Sequence, residues 1–135
     1  MLDLESFEKL VIEEKKPSAL CFVGDWCPPS KAQINDIEAL REKYQDRFLI
    51  EVINVEQSPK LTKALRINNL PTTLFFSEGQ LQEQNSLYGY QDQSMLTDSF
   101  ECTLWELENK SPANKYVWWF IGALLVLSII LMAIH

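Results

Sequence analysis

The spacing of apolar residues predicts an α/β domain, a central mixed sheet flanked by helices, followed by one C-terminal transmembrane helix. Three observations carry that expectation. Helix-type and strand-type stretches alternate in the order αβαβαββα, a five-residue apolar run at 19–23 reads as a central strand, and Val117 and Ile134 bound eighteen consecutive residues without a charge. The chain divides accordingly into a domain at 1–108, a linker at 109–116 and a membrane helix at 117–134.

Each element has its own signal. Leu4, Phe7, Leu10 and Val11 share one face of a short helix that stops before Pro17. Residues 19–23 (Ala-Leu-Cys-Phe-Val) form a continuous apolar run, as a strand covered on both faces requires. After Pro29, residues Ile34, Ile37, Leu40 and Tyr44 recur at helical spacing, and 48–55 reads as a second buried strand. Pro59 opens a short helix through Leu65. Residues 73–76 are β-branched or aromatic, Glu78-Gly79 is a turn, and 81–87 returns as a hairpin partner. A last helix from about Ser94 aligns Leu96, Phe100, Leu104 and Leu107. Strand–helix–strand units imply a parallel portion, and the late hairpin adds an antiparallel edge.

Composition narrows the function. The chain has 135 residues, and roughly 105 of them precede the uncharged run, enough for one small core. Nineteen Asp and Glu against twelve Lys and Arg argue against a nucleic-acid partner. Three cysteines make no disulfide framework, and no pair has metal-ligand spacing. His135 is the single histidine, so the domain holds no Cys/His catalytic pair. Neither metal nor cofactor is expected, and reduced thiols point to a reducing compartment. Met1-Leu2-Asp3-Leu4-Glu5 lacks the basic start of a secretory signal.

The tail has membrane dimensions. Residues 117–134 would extend about 27 Å as a helix, against a bilayer core of about 30 Å. Trp118, Trp119 and Phe120 stand at its start, where amphipathic rings favour the headgroup level. Lys110 and Lys115 lie on the domain side and His135 alone lies beyond, which puts the domain in the cytoplasm. A proline and small polar residues make 109–116 linker-like.

The chemistry concentrates at Trp26-Cys27-Pro28-Pro29-Ser30, directly behind the first central strand. A cysteine that opens a helix faces unpaired N–H groups and the positive end of the helix dipole, both of which favour the nucleophilic thiolate. Prolines suit the first helical turn. The competing reading is a buried, inert structural cysteine.

This motif, the element order, Leu70-Pro71-Thr72 about 44 residues beyond Cys27, Glu78-Gly79 in the hairpin turn and Gly89 after it together resemble the thioredoxin family across about residues 4–107. The resemblance implies a thioredoxin fold with Pro71 as a cis-proline facing Cys27. It implies that the Leu70 backbone pairs with an extended substrate segment, with Trp26, Pro28 and Gly89 lining the contact surface. Two departures matter. Ser30 replaces the resolving cysteine; its hydroxyl either donates to the Cys27 sulfur or caps the helix. Cys21 occupies the strand position where the family carries a buried acid, and reads as a small core residue. Cys102 falls off the apolar side of the last helix, an incidental surface thiol or one open to intermolecular pairing.

The leading expectation is a single-pass membrane protein performing monothiol thiol–disulfide exchange, with Cys27 and Ser30 as catalytic positions. Its partners would be a protein disulfide or thiol, a small thiol as resolving agent, and membrane lipid. The alternative is a non-catalytic binding module that tethers a partner at the membrane. A weaker third is a dimer holding an iron–sulfur cluster or metal ion through two copies of Cys27.

Overall fold

A computed structural model describes residues 2–109 and 112–134, with side chains for 2–109 and 119–134. The fold grows from strand β1 (Ser18–Val23), whose six residues are all buried. β1 pairs in parallel with β2 (Leu49–Asn54) and antiparallel with β3 (Thr72–Ser77). On the far side of β3 lie β4 (Gln80–Leu81) and β5 (Leu87–Tyr88), both antiparallel to it. Because β1 is flanked on both edges and covered on both faces, its residues 19–23 are continuously apolar rather than alternating.

Two departures from the sequence expectation concern the sheet. The second strand is not buried throughout: β2 is the terminal strand of the order β2-β1-β3-β4, and only Ile50 and Ile53 within it are buried. The hairpin partner at 81–87 is interrupted by a 3₁₀ turn at Glu83–Asn85. Ser86 repairs the gap, its Oγ accepting from the Phe75 N–H at 3.1 Å and donating to the Gln82 carbonyl at 2.9 Å. A buried backbone donor left by the broken ladder thus keeps a partner.

Helices cover the two faces. Helix α1 (Leu4–Phe7) continues as a π-helical segment (Glu8–Glu13), and α3 (Pro59–Ala64) follows β2. Phe7, Val11 and Leu61 from these segments join Leu20, Phe22, Ile53, Leu74 and Phe76 in one cluster. The alternate residues of the strands build the opposite core, where Phe75, Phe100, Tyr44 and Phe48 interlock. Tyr44 stacks on Phe100 at 4.3 Å between ring centroids.

Helix α2 (Pro28–Tyr44) buries Ser30, Gln33, Ile37 and Tyr44. The expected face was Ile34, Ile37, Leu40 and Tyr44, so the helix is rotated to put two polar residues inward. Ile34 and Leu40 are only partly buried.

Helix α4 (Gln93–Asn109) completes the set, and α5 runs Pro112–Ile134. The chain falls into two compact units, Met1–Thr103 and Leu104–His135. α5 takes in residues 112–116, which the sequence reading assigned to the linker; Lys110 and Ser111 lie outside the described residues. Among the described residues no helix is long and apolar enough to cross a membrane. Val117, Trp118 and Lys115 belong to the part of α5 whose side chains are not described, and those described begin at Trp119. From Trp119 on, the large apolar side chains of α5 are exposed, including Leu124, Leu125, Ile129 and Leu131.

Candidate active site

β1 ends at Val23, and the chain turns tightly before α2 begins. The Cys27 N–H donates to the Gly24 carbonyl at 3.2 Å, closing a four-residue turn that presents Asp25 and Trp26 to solvent. Cys27 is the N-cap of α2 in extended conformation, with Pro28 and Pro29 at the first two helical positions. Trp26 is 68% exposed and Cys27 half-buried.

Prolines at both positions change the electrostatics expected of a helix-opening thiol. Neither has an N–H to offer, so the sulfur loses two of the donors that a helix start normally presents. The next amide, Ser30 N–H, is spent on the Cys27 carbonyl at 3.0 Å. The one hydrogen bond of Cys27 Sγ is instead to an acceptor, the Leu70 carbonyl at 3.7 Å. What α2 retains for a thiolate is its aligned peptide dipoles rather than direct N–H contacts.

Ser30 is not where either sequence reading put it. Its side chain is fully buried and its Oγ accepts from the Gly24 N–H at 3.2 Å, not from or to the Cys27 sulfur. The hydroxyl therefore ties the start of α2 to the exit of β1, fixing the turn that carries Cys27.

The facing wall is the Leu70–Pro71 segment, and the Leu70–Pro71 peptide is cis. The Pro71 carbonyl accepts from the Gly89 N–H at 2.8 Å, which holds the loop after β5 beside this wall. Gly89 has φ +88°, and a Cβ there would meet nothing within 4 Å, so backbone conformation and not crowding selects glycine.

Two residues passed over in the sequence complete the site. Gly24 lets the walls approach: a Cβ there would lie 3.0 Å from Leu70 Cδ1 and 3.2 Å from Trp26 Cε2. Gln33, fully buried on α2, grips the loop after Gly89 from both sides. Its Nε2 donates to the Gln91 carbonyl and its Oε1 accepts from the Gln91 N–H, each at 2.9 Å. A glutamine on the inward face of a helix was the available signal, since a buried amide demands partners.

The other thiols are elsewhere. Cys21 is fully buried in β1, and burial pushes its thiol up to about 11, with the Thr73 side chain acting in the opposite direction. Cys102 is exposed on α4. All three cysteines are free. Among the described residues no three His, Cys, Asp or Glu side chains cluster as metal ligands would.

Beside the sulfur lies a groove of about 340 Å³ lined by Trp26, Cys27, Thr62, Asn68, Asn69 and Leu70.

Comparison with known proteins agrees with this geometry. Residues 1–101 match the thioredoxin family. The chain is 31% identical over 96 residues to the M-type chloroplast thioredoxin of Spinacia oleracea, covering 71% of this chain and 52% of that one. It thus spans about half the length of the spinach protein. It is 31% identical over 78 residues to a thioredoxin of Acidithiobacillus ferridurans, covering 58% of this chain and 72% of that one. A thioredoxin of Rickettsia prowazekii is 29% identical over 97 residues and 92% covered. The crystal structure of Malassezia sympodialis thioredoxin superposes with a TM-score of 0.67 at 20% identity, covering 75% of this chain and 85% of that one, which establishes likeness of fold.

Proposed function

The chain belongs to the thioredoxin family, and from that premise we propose that it performs monothiol thiol–disulfide exchange through Cys27 while held at a membrane by its C-terminal helix. The Cys27 thiolate attacks one sulfur of a partner's disulfide. A new S–S bond joins Cys27 to the partner, and the partner's other sulfur leaves as a thiolate and takes up a proton. A second thiol, from the partner or a small thiol, then attacks the mixed disulfide and releases Cys27. The observation that carries this reading is the placement of Cys27, partly open to solvent at the start of α2, on a groove it shares with Trp26 and Leu70, with a buried serine at position 30. Trp26, Pro28, Leu70, Pro71 and Gly89 would contact the substrate, the Leu70 backbone pairing with an extended segment.

The membrane part rests on sequence and exposure. The eighteen uncharged residues of 117–134 and the exposed apolar side chains of α5 from Trp119 onward need an apolar medium. Lys110 and Lys115 favour a cytoplasmic domain. Truncation after residue 116 should move the protein from the membrane fraction to the soluble one; a full chain already in the soluble fraction would remove the anchor.

Trapping tests the chemistry. Cells are alkylated rapidly, the protein is isolated without reductant, and whatever is joined to Cys27 is identified. Reducible adducts that vanish in Cys27→Ser support exchange; no adduct in either chain overturns it.

One observation favours a second reading, a binding module without catalysis. The contact of Sγ with the Leu70 carbonyl is one that only a protonated thiol donates, and Pro28 and Pro29 withhold helix N–H groups from a thiolate. A module of that kind keeps its partners in Cys27→Ser.

A further inference from the structure

The groove beside Cys27 continues away from the sulfur. A second cavity of about 560 Å³ shares Val55, Thr62, Ile67 and Asn68 with the first and extends it to Lys63 and Arg66. The stretch that builds this wall, residues 59–70, holds Lys60, Lys63 and Arg66 and no Asp or Glu, in a chain of net charge −7. All three cations are exposed, and among the described residues none makes an ion pair. Acids bordering the wall are Glu56, just before α3, Asp3, which lines a cavity with Pro59, Lys60 and Leu61, and Glu83, which lines a neighbouring cavity of about 320 Å³ with Arg66, so Lys63 is the cation whose cavity holds no acid. Cations concentrated along one side of a groove on an acidic protein attract and orient a partner of opposite charge, while the rest of the surface repels it.

From this we infer that the disulfide captured by Cys27 sits in an acidic protein segment, whose Asp or Glu side chains lie against Lys63 and Arg66. The inference rests on the exchange reading and names its substrate class. An extended protein segment fits better than a free small molecule because the two cavities adjoin across Val55, Thr62, Ile67 and Asn68, one reaching Cys27 and the other Lys63 and Arg66. The electron balance is that of the exchange step: the Cys27–partner bond forms, the partner's S–S bond breaks, and the released sulfur is protonated.

The test uses the full chain in non-ionic detergent and five-residue peptides whose cysteine is activated as a mixed disulfide with thionitrobenzoate. The peptides differ only in flanking Asp, Asn or Lys. Second-order capture rates should favour the Asp probe over the Lys probe by at least about tenfold at low salt, equivalent to about 1.4 kcal/mol. The ratio should collapse near 0.5 M salt, where screening is nearly complete, and fall toward one in K63E/R66E. Equal rates for all three probes overturn the charge inference while leaving exchange at Cys27 intact. Capture of none overturns the exchange reading itself. The mixed disulfide of glutathione with thionitrobenzoate reacting faster than the Asp peptide overturns the assignment to a protein segment.

Discussion

Cys21 lies in the middle of β1 with no exposed surface, whereas Cys27, six residues on, is partly open to solvent at the corner where that strand has ended. The side chains are identical, so the difference is entirely one of placement. Within β1 the backbone is paired on both edges and helices cover both faces, and burial disfavours the thiolate. Past Val23 the chain leaves the sheet, and its next residues meet the loops that precede β3 and follow β5. Open α/β sheets gather their binding sites beyond the carboxyl ends of strands for this reason. The comparison teaches that access to a thiol in this molecule is set by the corner and its facing loops, not by the side chain itself.

The sharpest way to break the comparison is to exchange the roles of the two thiols. Cys27→Ser should abolish capture of a peptide disulfide, while Cys21→Ala should retain it; capture surviving in Cys27→Ser would place the reactive sulfur elsewhere. Next in size, Ser30→Cys supplies a second thiol three residues from Cys27. The mixed disulfide should then shorten its lifetime by two orders of magnitude or more, as intramolecular attack replaces an external thiol. An unchanged lifetime would show that the buried position 30 cannot reach the sulfur.

A pH series sharpens the other arm. The Cys21 thiol is raised from 9.0 to about 11 in the fold, so the folded state holds a proton that the unfolded chain releases above pH 9. Its contribution is full below pH 9 and is lost as pH rises toward 11, by about 2–3 kcal/mol at 1.36 per pH step. Denaturation of Cys21→Ala should show a flatter loss across that window, and parallel curves for both chains would discard this cause. The smallest effect is at the corner. Gly24→Ala pushes a methyl against the tips of Leu70 and Trp26, both able to give, at a cost near the low end of about 1–3 kcal/mol. Trp26 fluorescence should shift and Cys27 capture slow several-fold; neither changing would mean that the two walls do not need their close approach.

Legibility followed the range of the interaction. The Trp26-Cys27-Pro28-Pro29-Ser30 corner is a local signal, prolines opening a helix behind an apolar run, whereas the Leu70-Pro71 wall was expected only from the family resemblance, because nothing local says which segment faces Cys27. The role of Ser30 was not, because its hydroxyl serves the amide of Gly24 and nothing local distinguishes that partner from the sulfur. Gln33 was missed for a related reason. Apolar spacing pointed to Ile34 and Leu40, and the helix is instead turned so that an amide reaches Gln91, fifty-eight residues away. The break between β4 and β5 likewise depends on Ser86 replacing backbone in the ladder.

The order of elements, the buried character of β1, the isolated sulfur and the uncharged tail were determined by the amino-acid sequence alone, since composition and periodicity express which faces avoid water. Which strand stands at the sheet's edge, which face of α2 turns inward, what Ser30 binds and where the cations of 59–70 lie relative to Cys27 were decided by the tertiary structure. Those outcomes depend on hydrogen bonds and charges between segments distant in the chain, and a polar group's partner is chosen by three-dimensional proximity.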